Sequence, residues 1–430
     1  MRRGTALGAL LLAAVTVSGC GALGGGGDGS GSAAAPAASG VSAAPSSPAA
    51  SSETAAPDPR TPTGWGPTEG ELAQARDDVA AMSVEEQVAT VLMPGFWGYD
   101  AQEPTPAEVA QNRLMHRLDS PADVAAERGF GGFFLRPEVI DDADQVARLT
   151  EGLHNAGDSA EGLPLLLSID QEGGVVQRLK EGVAPVPGAA TVGASGDPAY
   201  ARRVARENGR TLRGLGVTMV LAPVADVDPD GTSVIGSRAY SRDPETAAEM
   251  VAASVQGYLR AGVVPAVKHF PGLGTVRGDS HNSLPRQGKS VRQLLRTDLV
   301  PFRAAVEAGA PVVMSGHVSV DALEKGMPAS LSAPVLEGLL RDELGFEGVI
   351  ITDSQGMGPI HGRFGPAEGA VRSLLAGNDL VLNSFKPEKA RRAVIRAVEG
   401  GRLAEERVAE AATRVQALRL YQQRIASAAG

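Results

Sequence analysis

The chain has 430 residues, 43% of them hydrophobic and 21% charged, and a formal net charge of −10. That length admits one large α/β barrel or two to three smaller domains. The acidic balance, with no basic stripe to neutralise phosphates, excludes a nucleic-acid binder, and past the N-terminal segment no apolar run reaches the roughly 20 residues of a membrane-spanning helix.

Arg2 and Arg3 precede the apolar run ALGALLLAAVTV, and VSGC then ends in Cys20, the chain's single cysteine. Positive charge followed by a short apolar stretch is the pattern of an export signal, so residues 1–20 are expected to be a signal peptide. The tetrapeptide Val17-Ser18-Gly19-Cys20 resembles a bacterial lipobox, which implies that the Cys20 thiol carries a lipid and holds the exported protein on the outer face of the cell membrane. The competing reading is an ordinary signal peptide with a chance cysteine. A lone cysteine also suits a protein that folds outside the cell without disulfides. From 21 to 66 the chain is rich in Gly, Ala, Ser and Pro and nearly free of large apolar side chains. It cannot bury enough surface to offset its ordering entropy and is expected to be a disordered tether, which leaves residues 67–430 for the folded body.

Eight apolar runs then follow in order: VATVLMPGF (88–96), GGFFLR (131–136), LPLLLSID (163–170), VTMVLAPVADV (217–227), VVPAVKHF (263–270), APVVMSGH (310–317), GVIITDS (348–354) and DLVLNS (379–384). Between them lie amphipathic stretches such as DPAYARRVARENGRTLRGLG and SVRQLLRTDLVPFRAAVEAGA, with apolar residues at helical spacing and glycine at the stop. Strands alternating with helices imply parallel pairing, and eight such units predict a single (β/α)8 TIM-type barrel. A doubly wound open sheet is the alternative.

Polar residues gather at one end of these runs. Asp170 and Gln171 follow the third, Asp226 the fourth, Lys268 and His269 the fifth, His317 the sixth, Asp353 the seventh and Asn383 the eighth. In a barrel those ends form one rim, where the sites of this fold sit.

A carboxylate fixed at a strand end, with a proton donor near it, is the pair that displacement at an acetal carbon requires, the cleavage of a glycosidic bond being one case. Asp353 suits the first role, since the apolar run VIIT fixes its position and no lysine or arginine adjoins it in sequence. A helix N-cap before SQGM is the competing reading. For the proton donor, KHFPGLGTVRGDSHNSLP (268–285) offers Asp279 and His281 in a glycine-rich loop. Imidazole both gives and takes a proton near neutrality, and a carboxylate sets its tautomer. A plain Asp-Ser turn is the alternative. The GLGTVRG stretch lacks the Gly-Lys-Ser/Thr ending of a phosphate loop, and no histidine pair has the spacing of a zinc site, so neither a metal nor a cofactor is expected.

Three segments, SIDQEGGVVQRL (168–179), KHFPGLGTVRGDSHNSLP and GVIITDSQGM (348–357), together resemble glycoside hydrolase family 3, and within it the NagZ-like β-N-acetylglucosaminidases. The resemblance runs from about residue 70 to 425. It implies a retaining β-N-acetylhexosaminidase that needs no cofactor and acts on terminal GlcNAc of cell-wall fragments or related glycosides. Asp353 would be the nucleophile and Asp279 with His281 the acid/base pair, while Asp170, Arg178, Arg238, Lys268 and His269 would bind the sugar. Larger members of the family append a second domain that supplies the acid/base carboxylate. Too little chain follows the eighth run to build one, so that group is expected from the barrel's own loops. Leu273 and Val175 depart from the family pattern, where histidine and arginine are usual. A GlcNAc phosphorylase on the same scaffold and a catalytically silent muropeptide-binding lipoprotein are the competing functions. A monomer is expected, with a carbohydrate and the membrane surface as its partners.

Overall fold

The computed structural model describes residues 58–157, 163–276, 278 and 283–430. The expected signal peptide, Cys20 and most of the tether lie outside them, as do Asp279 and His281. The last part of the expected tether is packed. Pro62 bridges Thr68, Trp65 is buried, and Gly66 lies so close to the Tyr421 ring that a side chain there would collide with it. Trp65 supplies the apolar area that the preceding Ala/Ser/Pro stretch lacks, so folded chain begins before residue 67.

Every one of the eight apolar runs contains a strand. They are β1 (Leu92–Met93), β2 (Gly132–Leu135), β3 (Leu166–Ile169), β4 (Met219–Val220), β5 (Val264–Phe270), β6 (Val312–Ser315), β7 (Val349–Thr352) and β8 (Val381–Leu382). β2 to β7 form a curled, all-parallel six-stranded sheet in chain order, and β1 pairs parallel with β8. Phe134 N–H donates to the Pro94 carbonyl at 2.9 Å, and Thr352 N–H to the Leu380 carbonyl at 2.9 Å, which ties this pair to both edges of the sheet.

Alternation along the strands sorts the core. Val264, Ala266, Val312, Met314, Val349 and Ile351 share one buried cluster with Leu166, Met219 and Leu382. Their neighbours Val267, Val313 and Ile350 belong to a second cluster, with Phe302 and Leu336 from the surrounding helices. Both faces are thus covered, which is why the strands read as continuous Val/Ile/Leu runs.

Helices start where the sequence supplies caps. Asp197 and Asp243 accept backbone N–H bonds at the starts of Pro198–Gly214 and Pro244–Arg260, each with proline in the first turn, where its missing N–H costs nothing. The stretch expected as one helix over 290–310 is two, Val291–Arg296 and Val300–Glu307. Pro301 cannot continue the hydrogen-bond ladder, and buried Asp298 sits at the break. Its carboxylate accepts from Thr275 Oγ1 at 2.5 Å and Lys289 Nζ at 2.6 Å. The break therefore fastens together the two described limbs of the glycine-rich loop. Gly274 is obligatory in the first limb, because a Cβ there would stand 2.1 Å from the Val227 carbonyl oxygen.

Candidate active site

At the carboxyl ends of the strands lies a cavity of about 250 Å³ lined by Asp170, Glu172, Val176, Arg178, Val234, Ile235, Arg238, Lys268, His269, Leu273 and Asp353. Against the ~300–1,000 Å³ of ordinary ligand clefts this is small. It brings together Asp353 and all five residues expected to bind the sugar.

Strand β7 delivers Asp353. Its N–H donates to the Ser315 carbonyl at 2.8 Å, and its Oδ1 accepts the Ser354 N–H at 2.7 Å. Burial opposes ionisation of this carboxyl, but His317, His269, the Ser354 amide and the Lys268 ammonium outweigh it and hold its pKa below the usual aspartate value. An ionised carboxylate at the base of a pocket is what nucleophilic attack requires. No helix starts at Asp353; the next is the short Gly358–His361, whose cap position is Met357, so the N-cap reading falls.

Strand β5 delivers Lys268 and His269. Lys268 Nζ reaches Asp170 Oδ1 at 2.6 Å and Glu172 Oε1 at 2.8 Å. Glu172 in turn is clamped by Arg238, Nε to Oε2 at 2.8 Å and Nη2 to Oε1 at 2.7 Å. Burial would raise the Glu172 pKa, yet the two cations bring it down to about 2. The Lys268 pKa is raised in spite of its burial, by Asp170 and Glu172. Arg178, by contrast, is exposed at the pocket and its side chain pairs with none of the described residues, so its donors remain for a ligand.

His269 is buried, its Nδ1 2.7 Å from Asp226 Oδ2, while Asp226 Oδ1 accepts the Leu273 N–H at 2.6 Å. A carboxylate on Nδ1 fixes the tautomer and leaves Nε2 for a substrate hydroxyl. The departure at Leu273 thus keeps the backbone contact and turns its side chain into an apolar pocket wall. Val175, the other departure, is an exposed residue between the short strands Gln171–Gly173 and Val176–Gln177 and does not line the pocket.

The remaining rim residues hold the scaffold. Gln171 clamps the backbone of Leu179 through both amide atoms. His317 Nε2 lies 2.9 Å from the Ser354 carbonyl oxygen, with Nδ1 2.8 Å from Ser330 Oγ. Asn383, in the left-handed region at φ +50, donates from Nδ2 to Ser354 Oγ at 2.9 Å. Both support the segment that carries Asp353. Sequence reasoning missed Glu172, although it lies inside the DQEGG motif two residues after Asp170; its partners, Lys268 on β5 and Arg238 in the loop after β4, are far along the chain.

This chain is 37% identical over 266 residues to a beta-hexosaminidase of Thiobacillus denitrificans, an alignment that covers 60% of this chain and 73% of that protein. It is 41% identical over 229 residues to beta-hexosaminidase LpqI of Mycobacterium tuberculosis, covering 51% and 58%. Among solved structures it is similar to a glycoside hydrolase family 3 beta-N-acetylglucosaminidase from Paenibacillus, with a TM-score of 0.73 and 37% identity, covering 80% of this chain and 63% of that one. The M. tuberculosis LpqI structure gives a TM-score of 0.68 at 32% identity, covering 79% and 95%. The match thus spans less than two thirds of the Paenibacillus chain but nearly all of the solved LpqI chain. Residues 83–418 match the Glycosyl hydrolase family 3 N terminal domain, and with its strand-end pocket and ionised Asp353 the chain belongs to glycosyl hydrolase family 3, a glycosidase of that family.

Proposed function

We propose that the protein is an exo-acting, retaining β-N-acetylhexosaminidase that releases terminal GlcNAc from peptidoglycan fragments or related glycosides. Asp353 attacks the anomeric carbon as the aglycone departs. Asp279 and His281 form the acid/base pair: His281 protonates the leaving oxygen and then takes a proton from the water that releases the sugar. Asp170, Arg178, Lys268 and His269 hold the sugar, and Arg238 acts with them by fixing Glu172. The eight strands work as a closed (β/α)8 barrel, and Cys20, lipidated and left as the first residue once residues 1–19 are removed, tethers it to the outer face of the cell membrane.

The observation that carries this reading is the ionised Asp353 in a pocket small enough for one sugar and crowded with fixed polar groups. The similarity to named beta-hexosaminidases supports the choice of an N-acetylhexosamine. The test is product analysis of the purified protein with GlcNAc-MurNAc and with an aryl GlcNAc glycoside, each with and without phosphate. Free GlcNAc of retained configuration as first product is the expected result. GlcNAc 1-phosphate would make it a phosphorylase, and binding without turnover a muropeptide-binding protein.

A further inference from the structure

Every residue lining the small pocket lies at or before Asp353 in the chain. The segment after Asp353 and the end of β8 are left over, and they carry one large apolar side chain that burial does not explain. Phe385, three residues past β8, is 46% exposed. β7 and β8 run parallel, joined by the Ile351–Leu380 bridge, so Phe385 belongs to the same rim as Asp353.

Its ring is held in place. It lies against Gly356, three residues beyond Asp353, where an added Cβ would stand 2.6 Å from the ring's Cε2. It also meets the His361 ring edge-on, with centroids 5.2 Å apart and planes at 61°. The turn that brings it there starts at Asn383, whose side chain is bonded to Ser354. A single exposed aromatic needs no special account. This one is fixed by two contacts to the segment that carries the nucleophile, yet keeps nearly half its surface in solvent. A sugar ring bonded through the leaving oxygen must lie just outside a one-sugar pocket, and the apolar C–H face of a pyranose packs on an aromatic ring.

We propose that Phe385, supported by His361, is the platform for the aglycone sugar and sets the preference for oligosaccharides over substrates with small leaving groups. The proposal rests on the glycosidase reading above and names the group that occupies the space beyond its pocket.

The test compares two substrates that share the GlcNAc unit: a GlcNAc disaccharide, whose aglycone reaches the platform, and GlcNAc fluoride, whose leaving group is too small to do so. In Phe385→Ala the ratio of kcat/KM for the disaccharide to that for the fluoride is expected to fall about tenfold, mainly through KM, the scale of one lost aromatic contact. Phe385→Trp is expected to keep the ratio within about threefold, and His361→Ala to lower it by less than Phe385→Ala. Equal losses on both substrates would mean that Phe385 only props up the Gly356 segment, and an unchanged ratio would mean that no aglycone touches it; either result overturns the platform. If the unaltered protein turns over neither substrate, the hexosaminidase reading itself fails and takes the platform with it.

Discussion

Lys268 Nζ stands 2.6 Å from Asp170 Oδ1, so the cation at the end of β5 is neutralised by a carboxylate at the end of β3. Glu172 shares the same ammonium and passes the network to Arg238. Removing one partner of a buried charge network leaves the others desolvated and unpaired, at a cost of about 3–5 kcal/mol. Glu172→Gln is therefore expected to destabilise the fold by that order and to lower kcat/KM at least tenfold, because both Lys268 and Arg238 lose their fixed position. The folded carboxyl sits near 2 against an ordinary value of 4.5. Its depressed pKa means that the stabilisation is complete above 4.5 and is lost as pH falls toward 2. Urea midpoints of the two proteins should accordingly converge across that window; a constant difference down to pH 2 would remove Glu172 from the ionised network.

Asp353 makes a sharper chemical prediction. Its carboxyl is held below the usual aspartate range, so the acidic limb of the kcat/KM profile should lie below the titration of a free aspartate. Replacement by Ala should abolish turnover of every glycoside, and a 5-fluoro glycosyl fluoride should label the unaltered protein at this residue. A label mapped elsewhere, or inverted product configuration, would assign the nucleophile to another group.

The eight strands and their rim were legible in the sequence because both depend on local pattern: a Val/Ile/Leu run buried on two faces, then a polar residue where it ends. Boundaries were not. Val88 and Thr90 belong to the helix Val84–Thr90 although they read as the start of the first strand, since a short apolar run has the same look in either conformation. The 217–227 run yields only Met219–Val220 as strand, and the rest carries the chain to Asp226 as irregular backbone. Of the site, Asp353 and the five residues expected to bind the sugar line one pocket, while Asp279 and His281 lie outside the described residues. Glu172 was hidden because a carboxylate declares its role only through its partners, and Lys268 reaches it from β5 while Arg238 reaches it from the short turn Gly236–Arg238 in the loop after β4. Gln171, His317 and Asn383 have the same rim position as Lys268 but hold backbone and hydroxyl groups, a distinction that no strand-end pattern contains.

At the opposite end of β8, Asp379 is a structural counterpart of this network. Its buried carboxylate meets Arg341 at 2.7 Å, Arg407 at 2.9 Å and Arg414 at 3.2 Å and accepts the Ile350 N–H at 2.9 Å. Burial opposes its charge, but the three guanidinium groups lower its pKa all the same. Asp379→Asn should lower Tm by roughly 5–10 °C while kcat and KM below the transition stay unchanged. The deficit should be full above pH 4 and fade as pH falls through the depressed pKa. A kinetic defect at low temperature would show that this end of the strand communicates with the pocket.

Cys20→Ser tests the anchor alone. The variant should leave the membrane fraction and lose a metabolic lipid label, with kinetics unchanged. A variant that stays membrane-bound, together with an unlabelled native protein, would refute lipid attachment.

The role of His281 is separable from loop shape by the leaving group. The described limbs of its loop are fastened by Asp298, through Thr275 on one side and Lys289 on the other, so a substitution at His281 need not unfasten them. If His281 protonates the leaving oxygen, its loss should hurt each substrate in proportion to the substrate's need for a proton. A GlcNAc disaccharide departs as a poor, alkoxide-like leaving group and should lose on the order of a hundredfold or more in His281→Ala, the usual scale of general acid catalysis. A dinitrophenyl glycoside departs almost unaided, so the glycosyl ester on Asp353 should still form and then accumulate, visible as a burst, because water lacks its base. Azide attacks without a base and should restore turnover as glycosyl azide of retained configuration. Asp279→Asn should act in the same direction more mildly, since the imidazole remains but loses its orienting carboxylate. Equal losses on both glycosides with no rescue by azide would leave His281 a loop residue and require the acid/base elsewhere on the rim.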